Sequence, residues 1–222
     1  MERYIVKGMF ITFEGPDGAG KTSIIEGIKK KLQEVGEHSV VFTREPGGSP
    51  IAEEIRNVTL NPAHTEMDAR TEALLIAAGR RQHIVEKILP ALNAGNTVIC
   101  DRFVDSSLVY QGHARGIGVE EVRKINEFST DSLQPDATLY LDVTAEVGLD
   151  RIEKAKKNRQ YDRLDQEKVE FHHKVREGYH LLLEKDSGRI IEIDASQSEE
   201  EVLAECWKHI QQLLNINEEE QK

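Results

Sequence analysis

The sequence predicts an α/β fold, a five-stranded parallel sheet covered by helices on both faces in a three-layer α/β/α arrangement. Two observations carry this. Five short apolar runs alternate with segments of helical period along the chain, the pattern of a parallel sheet buried on both sides. The first run also ends in a glycine-rich bend that opens onto a helix, as at a ligand-binding strand end. At 222 residues and 38% hydrophobic, the chain suits one domain with one core.

The elements follow from period. Met9–Glu14 reads as a buried strand. Ile24, Ile25, Ile28, Leu32 and Val35 fall at helical spacing, with Gly36 as the C-terminal stop. Ser39–Thr43 is the second strand. A helical stretch from about Asp68 to Ala94 carries Leu74, Ala77, Ile84, Ile88 and Ala91 on one face. Thr97–Asp101, Ala137–Asp142 and Arg189–Asp194 are the remaining strands. A helix through Phe171, Val175, Tyr179 and Leu182 puts His172 and His173 on its polar side. The last helix, from about Glu199 to Leu214, packs through Leu203, Cys206, Trp207, Ile210 and Leu213. Residues 1–8 read as a short tail, 9–215 as the domain and 216–222 as an acidic tail.

Composition narrows the function. A net charge of −11 disfavours coating nucleic acid polymers or anionic membranes. No window approaches 18 apolar residues, so no membrane span is expected, and the N-terminus lacks the pattern of a signal peptide. Two cysteines, Cys100 and Cys206, form no zinc pattern or disulfide framework, which points to a reducing cytoplasm. His64-Thr65-Glu66 has no Pro-Cys-x-x-Cys partner, so a zinc deaminase is excluded.

The chemistry collects after the strands. Gly15, Pro16, Asp17, Gly18, Ala19, Gly20, Lys21 and Thr22 match the phosphate-loop pattern of Gly, four residues, Gly-Lys-Ser/Thr. Its glycines let several backbone N–H groups point at one anion, and the following helix adds partial positive charge. Lys21 would reach the terminal phosphates and Thr22 would ligate Mg²⁺. No Asn-Lys-x-Asp base reader is present, against a guanine-specific GTPase. Arg44 stands at the end of the second strand, beside Glu45-Pro46-Gly47-Gly48, placed to fork onto a phosphate. Asp101 ends the third strand as a Mg²⁺–water ligand does, and Arg102 follows at once as a phosphoryl clamp. Arg151, Lys154, Lys156, Lys157, Arg159 and Arg163 make a local positive field in an acidic chain, expected as a lid over about residues 151–165.

Together these segments resemble the thymidylate kinases, over about residues 8 to 215. The resemblance is carried by Phe13-Glu14-Gly15 with the phosphate loop, Thr43–Gly48, Asp101-Arg102-Phe103 with Ser106 and Tyr110-Gln111, and Asp194-Ala195-Ser196. The lid is basic and the phosphate loop lacks an arginine, as in the bacterial kind. The resemblance implies the P-loop NTPase fold, ATP as donor with Mg²⁺, dTMP as acceptor, and a homodimer. It implies that Lys21 and Thr22 hold the ATP phosphates and Mg²⁺, and that Arg151 flanks the adenine. It further implies that Asp17 approaches the 3′-hydroxyl of dTMP, Arg44 grips its phosphate and Arg80 reads the thymine edge. Arg102 would bridge the two phosphates, while Ser106, Tyr110 and Gln111 would line the acceptor, and Arg159 and Arg163 would supply the lid arginine. Ile76 stands where the family commonly has phenylalanine, so it forgoes the roughly 0.5–1.5 kcal/mol of aromatic stacking. The competing expectations are another nucleoside monophosphate kinase, a deoxynucleoside kinase with Glu14 as base, and a non-catalytic nucleotide-binding regulatory module.

Overall fold

The computed structural model describes residues 7–155 and 163–216. Strands β1 (Phe10–Glu14), β2 (Val40–Arg44), β3 (Thr97–Asp101), β4 (Ala137–Asp142) and β5 (Ile190–Asp194) form one sheet in the order β2-β3-β1-β4-β5, every pair parallel. Central β1 is buried along its whole length, its apolar residues interrupted only by the buried Thr12 and ended by the buried Glu14. Its side chains alternate between faces. Ile11 and Phe13 join a core made with Ile24, Ile28 and Leu32 of α1 (Lys21–Glu34) and Trp207 and Ile210 of α9 (Glu199–Leu214). The opposite face meets the other helices. Phe10 packs there with Ile84, Ile88, Leu92, Cys100 and Phe103, and Tyr140 of β4 packs with Tyr110, Phe171, Val175 and Tyr179.

The intervening helices are α2 (Pro50–Thr59), α3 (Ala69–His83), α4 (Leu89–Asn93), α5 (Val104–Ser107), α6 (Val119–Thr130), α7 (Ala145–Ala155) and α8 (Val169–Lys185). The stretch expected as one helix from Asp68 to Ala94 is α3 and α4 joined by a π-helical turn at Ile84–Ile88. Pro90 explains the wider turn, since it has no N–H to return to the carbonyl four residues back. Leu74 was expected on the buried face and is 56% exposed. The stripe that packs inward runs through Ala73, Ala77 and Arg80, one position round. His172 was expected on a polar face and is buried against Phe171, while His173 is exposed. No helix among the described residues is long and apolar enough to cross a membrane.

Two features place the chemistry. All five strands point the same way, so the segments after β1, β2, β3 and β4 meet at one edge of the sheet. Below them, a polar column crosses the sheet. Thr12 and Thr138 share a hydrogen bond of 2.7 Å, Arg189 donates to Thr138 at 2.7 Å, and Arg189 forks onto Asp105 of α5 at 2.8 and 3.0 Å. This pins α5, and with it the turn after β3, to the sheet centre. The crown of the phosphate loop is fixed separately, by α7. A Cβ on Gly18 (φ +79°) would lie 2.1 Å from the Gly148 carbonyl oxygen, and one on Gly148 would lie 2.5 Å from that of Asp17. Only paired glycines allow this approach of loop and helix.

Candidate active site

The phosphate loop occupies the turn from β1 into α1. Gly20 caps α1 in a left-handed conformation and supplies no side-chain acceptor, so the first N–H groups of the helix remain for a ligand. Lys21 is buried, and its Nζ donates to the carbonyls of Gly15 and Pro16 at 3.0 and 2.9 Å. Burial, with Arg102 nearby, lowers its pKa to about 8 despite the attraction of Asp101, Asp17 and Glu14. The loop opens into a cavity of about 770 Å³, bounded at this end by Gly18–Thr22, Asp101 and Arg151. Arg151 donates to the Ala195 carbonyl at 2.9 Å, beside the turn after β5.

Arg102 lines the cavity and is tied to the phosphate loop through Asp17. Its φ of 69° turns the chain sharply at the end of β3, and its N–H donates to the Phe13 carbonyl at 2.9 Å. One guanidinium nitrogen reaches Asp17 Oδ1 at 2.8 Å and Tyr110 OH at 3.1 Å, and the other reaches Ser106 Oγ at 3.0 Å and Tyr179 OH at 3.3 Å. Tyr110 also donates to Asp17 Oδ2 at 3.0 Å. Burial works against the Asp17 anion, but Arg102 and Lys21 outweigh it and hold the carboxyl below its ordinary range.

Glu14 lies behind this group. It accepts from the Phe103 N–H at 2.7 Å, the Ser106 N–H at 3.2 Å, Ser106 Oγ at 2.5 Å and Tyr179 OH at 2.8 Å. Burial, then Asp105, raises its pKa. Glu14 does not line the cavity, so it supports the turn that carries Arg102 and is out of reach of a ligand there.

The far end of the cavity is built by α2, α3 and the turn after β2. Arg44 donates to the Pro46 carbonyl at 2.8 Å and pairs with Glu53 at 3.0 Å, and Arg56 of α2 donates to the same carbonyl at 2.8 Å. Arg80 is almost wholly buried. It donates to Glu45 at 2.6 Å, Ser107 at 3.0 Å, the Phe103 carbonyl at 2.9 Å and Asn126. His83 takes the other Glu45 oxygen at 2.9 Å and meets Thr43 at 2.6 Å. Ile76, Ser106, Tyr110 and Gln111 line the same space.

The expected site residues Gly18–Thr22, Asp17, Arg44, Ile76, Arg80, Asp101, Arg102, Ser106, Tyr110, Gln111, Arg151 and Arg163 all border this one cavity. Arg163 stands at the far end of it. Its Nε donates to the Thr59 carbonyl at 3.0 Å and its Nη2 to the buried carboxylate of Glu72. A role at a transferring phosphate would require it to leave both. Arg159 lies outside the described residues. Arg56, Glu45 and Glu72 escaped sequence reasoning. Ser49-Pro50, an N-cap residue followed by proline, was the available signal for α2 and hence for Arg56. Glu72 was marked only by being an acid within the buried stripe of α3.

The chain matches the family profile described as Thymidylate kinase over residues 13–206. It is 57% identical over 199 residues to a thymidylate kinase of Geobacillus sp. (strain WCH70), covering 90% of this chain and 94% of that one. It is 59% identical over 205 residues to one of Latilactobacillus sakei subsp. sakei (strain 23K), covering 92% and 95%. The crystal structure of thymidylate kinase from Ehrlichia chaffeensis superposes with a TM-score of 0.73 at 32% identity, over 92% of this chain and 99% of that chain.

The lowered pKa of Lys21 has a measurable consequence. Below about 8 its ammonium is formed, whereas above it a triphosphate binding there would have to draw a proton to the amine. Affinity for a nucleoside triphosphate is expected to fall as pH rises through this value, by up to about tenfold per pH unit. Calorimetry at about pH 9 in buffers of different ionisation enthalpy should report close to one proton taken up per ligand. Binding without proton uptake there would contradict the assignment.

Proposed function

The chain belongs to the thymidylate kinase family, and from that premise we propose that this cavity moves the γ-phosphate of ATP directly onto the phosphate of dTMP, giving ADP and dTDP. One observation carries the reading of the site. The phosphate loop and the arginine-rich acceptor end face each other across one cavity, with the Arg102 guanidinium between them. ATP would lie with its phosphates on Gly15–Thr22 and its base beside Arg151. The dTMP phosphate would be held by Arg44 and Arg56, its sugar by Asp17 and Tyr110, and its base among Ile76, Arg80 and Gln111.

The nucleophile is a phosphate oxygen. A phosphomonoester loses its second proton with a pKa of about 6, so at neutral pH it is already an anion and no general base is required. That Glu14 lies outside the cavity supports this over a kinase acting on a deoxynucleoside hydroxyl, where a base would be needed. The opposing force is repulsion between two polyanions. Lys21, Arg44 and Arg102 offset it, and their fixed positions keep the phosphates in line. Mg²⁺ fits the donor end. Asp101 Oδ1 is buried with no hydrogen-bond partner among the described residues, and Asp101 and Thr22 border the same cavity, two hard oxygen donors. When bound, the ion would neutralise charge on the triphosphate.

A second copy of this chain is the proposed partner. Ile51 and Val58 of α2, Leu74 of α3, Val85 of the π-helical turn and Phe128 of α6 are all exposed, Phe128 at 89%. Their helices are contiguous, since Ile55 of α2 lies against Gly79 of α3 and Arg81 reaches Asp131 at the end of α6 at 2.8 Å. Exposed apolar side chains on contiguous helices are the kind of surface a second chain covers. Two free, buried cysteines support action in a reducing compartment.

A coupled ADP-release assay with dTMP, dUMP, dGMP, dAMP and thymidine as acceptors tests the reading, with dTMP expected to be the preferred acceptor and ATP alone to give little ADP. Arg102→Ala is expected to lower kcat by at least ~100-fold, the scale of one preorganised donor, and near-normal turnover would remove Arg102 from the chemistry. Arg44→Ala should mainly raise the KM for dTMP, whereas a rise confined to ATP would show the two ends to be reversed. Phe128→Glu should convert a dimeric mass to a monomeric one in light scattering, and an unchanged mass would refute this interface.

A further inference from the structure

Glu72 is a buried acid at the acceptor end of the cavity that none of the roles above uses. It sits in the first turn of α3 with its side chain 2% exposed. Oε1 accepts from Gln111 Nε2 at 2.7 Å. Oε2 accepts from Arg163, and Arg115 approaches it at 3.3 Å. Both arginines are anchored in turn. Arg163 donates to the Thr59 carbonyl, and Arg115 pairs with Glu167 at 2.6 Å while its guanidinium lies 4.6 Å from the Phe171 ring centroid. The carboxylate plane is thereby fixed from one side, leaving the other oxygen aimed at Gln111.

The consequence lies in the polarity of Gln111. A primary amide presents a carbonyl oxygen on one side and an NH₂ on the other, and a half-turn exchanges them. Against a carboxylate only one orientation is favourable, because the other would set oxygen against oxygen, both acceptors. Glu72 thus takes the NH₂, and the Gln111 Oε1 is left without a partner among the described residues, on a side chain that lines the cavity together with Ile76 and Tyr110. An oxygen there is complementary to an imide N–H, which thymine and uracil carry at N3. Cytosine has at N3 a lone pair and no hydrogen, and would meet acceptor with acceptor.

The geometry points to Glu72 as a positioning residue for acceptor selection: it locks the Gln111 amide so that the cavity reads imide pyrimidines and rejects cytosine. This rests on the dTMP reading above. Arg163 and Arg115 act one step further back, by keeping the Glu72 carboxylate from turning.

The test is the ratio of kcat/KM for dTMP to that for dCMP, in the wild-type protein, Glu72→Gln and Gln111→Ala. In Glu72→Gln the new amide can donate to Gln111 Oε1 as readily as it accepts from Nε2, so Gln111 is free to turn. The ratio is expected to fall roughly tenfold or more, and the KM for ATP to stay within about twofold. Gln111→Ala should lower the ratio similarly, and adding Glu72→Gln to it should lower it no further. A purely structural role for Glu72 would depress both acceptors together and leave the ratio intact, and that result would overturn the proposal. If Glu72→Gln does not fold, Gln111→Ala decides alone, since it leaves Glu72 with both arginines, and an undiminished ratio overturns the proposal. Failure of the wild-type protein to turn over dTMP would instead defeat the functional reading beneath it.

Discussion

The site depends on the Arg102 guanidinium being held at one point between two anion-binding ends. Holding it there is costly. A non-glycine residue in the left-handed region carries about 1–2 kcal/mol of strain, and a cation placed among buried groups must be compensated for lost water. The structure supplies both compensations locally. The Arg102 N–H is satisfied by Phe13, and Glu14 draws in the Phe103 and Ser106 N–H groups that would otherwise be orphaned where the strand passes into α5. Asp17, Ser106, Tyr110 and Tyr179 then hold the guanidinium itself. Asp17 comes from the phosphate loop, so donor loop and clamp are tied together before any ligand binds.

The sheet makes this convergence possible. Parallel order β2-β3-β1-β4-β5 brings the ends of β1, β2 and β3 side by side, with Phe13 opposite Asp101 and Arg44 opposite the same residue. Three loops distant in sequence therefore deliver Lys21, Arg44 and Arg102 to one edge. Burial and charge work together there. An overall charge of −11 repels nucleotides at long range, while cations concentrated in one cavity give strong attraction at short range, where screening by water is weak.

The sheet was legible because each strand is a short, largely apolar run set between turns, most deeply buried in β1, β3 and β4, and all five fall within a residue of where the sequence places them. The phosphate loop was legible because its chemistry requires fixed spacing. Other elements were less so. α2 and α6 present apolar residues to the outside, Ile51, Val58 and Phe128 among them, so their periodicity does not mark one buried stripe. The same effect put Leu74 on the wrong side of α3. Arg163 belongs to a basic run that reads as uniform in sequence, yet Glu72, 91 residues away, draws it to the acceptor end. Contacts of that kind leave no local pattern, and Glu72 and Arg56 were missed for this reason.

The most direct measurement of the central claim uses a single ligand, adenosine and thymidine joined through five phosphates at their 5′ positions. If both nucleotides face each other across Arg102, one such molecule should bind per chain. It should compete with ATP and with dTMP, and bind at least ~100-fold more tightly than either, the gain expected when two ends are linked at matching span. Competition with only one substrate, or no gain in affinity, would contradict a shared cavity organised around one arginine.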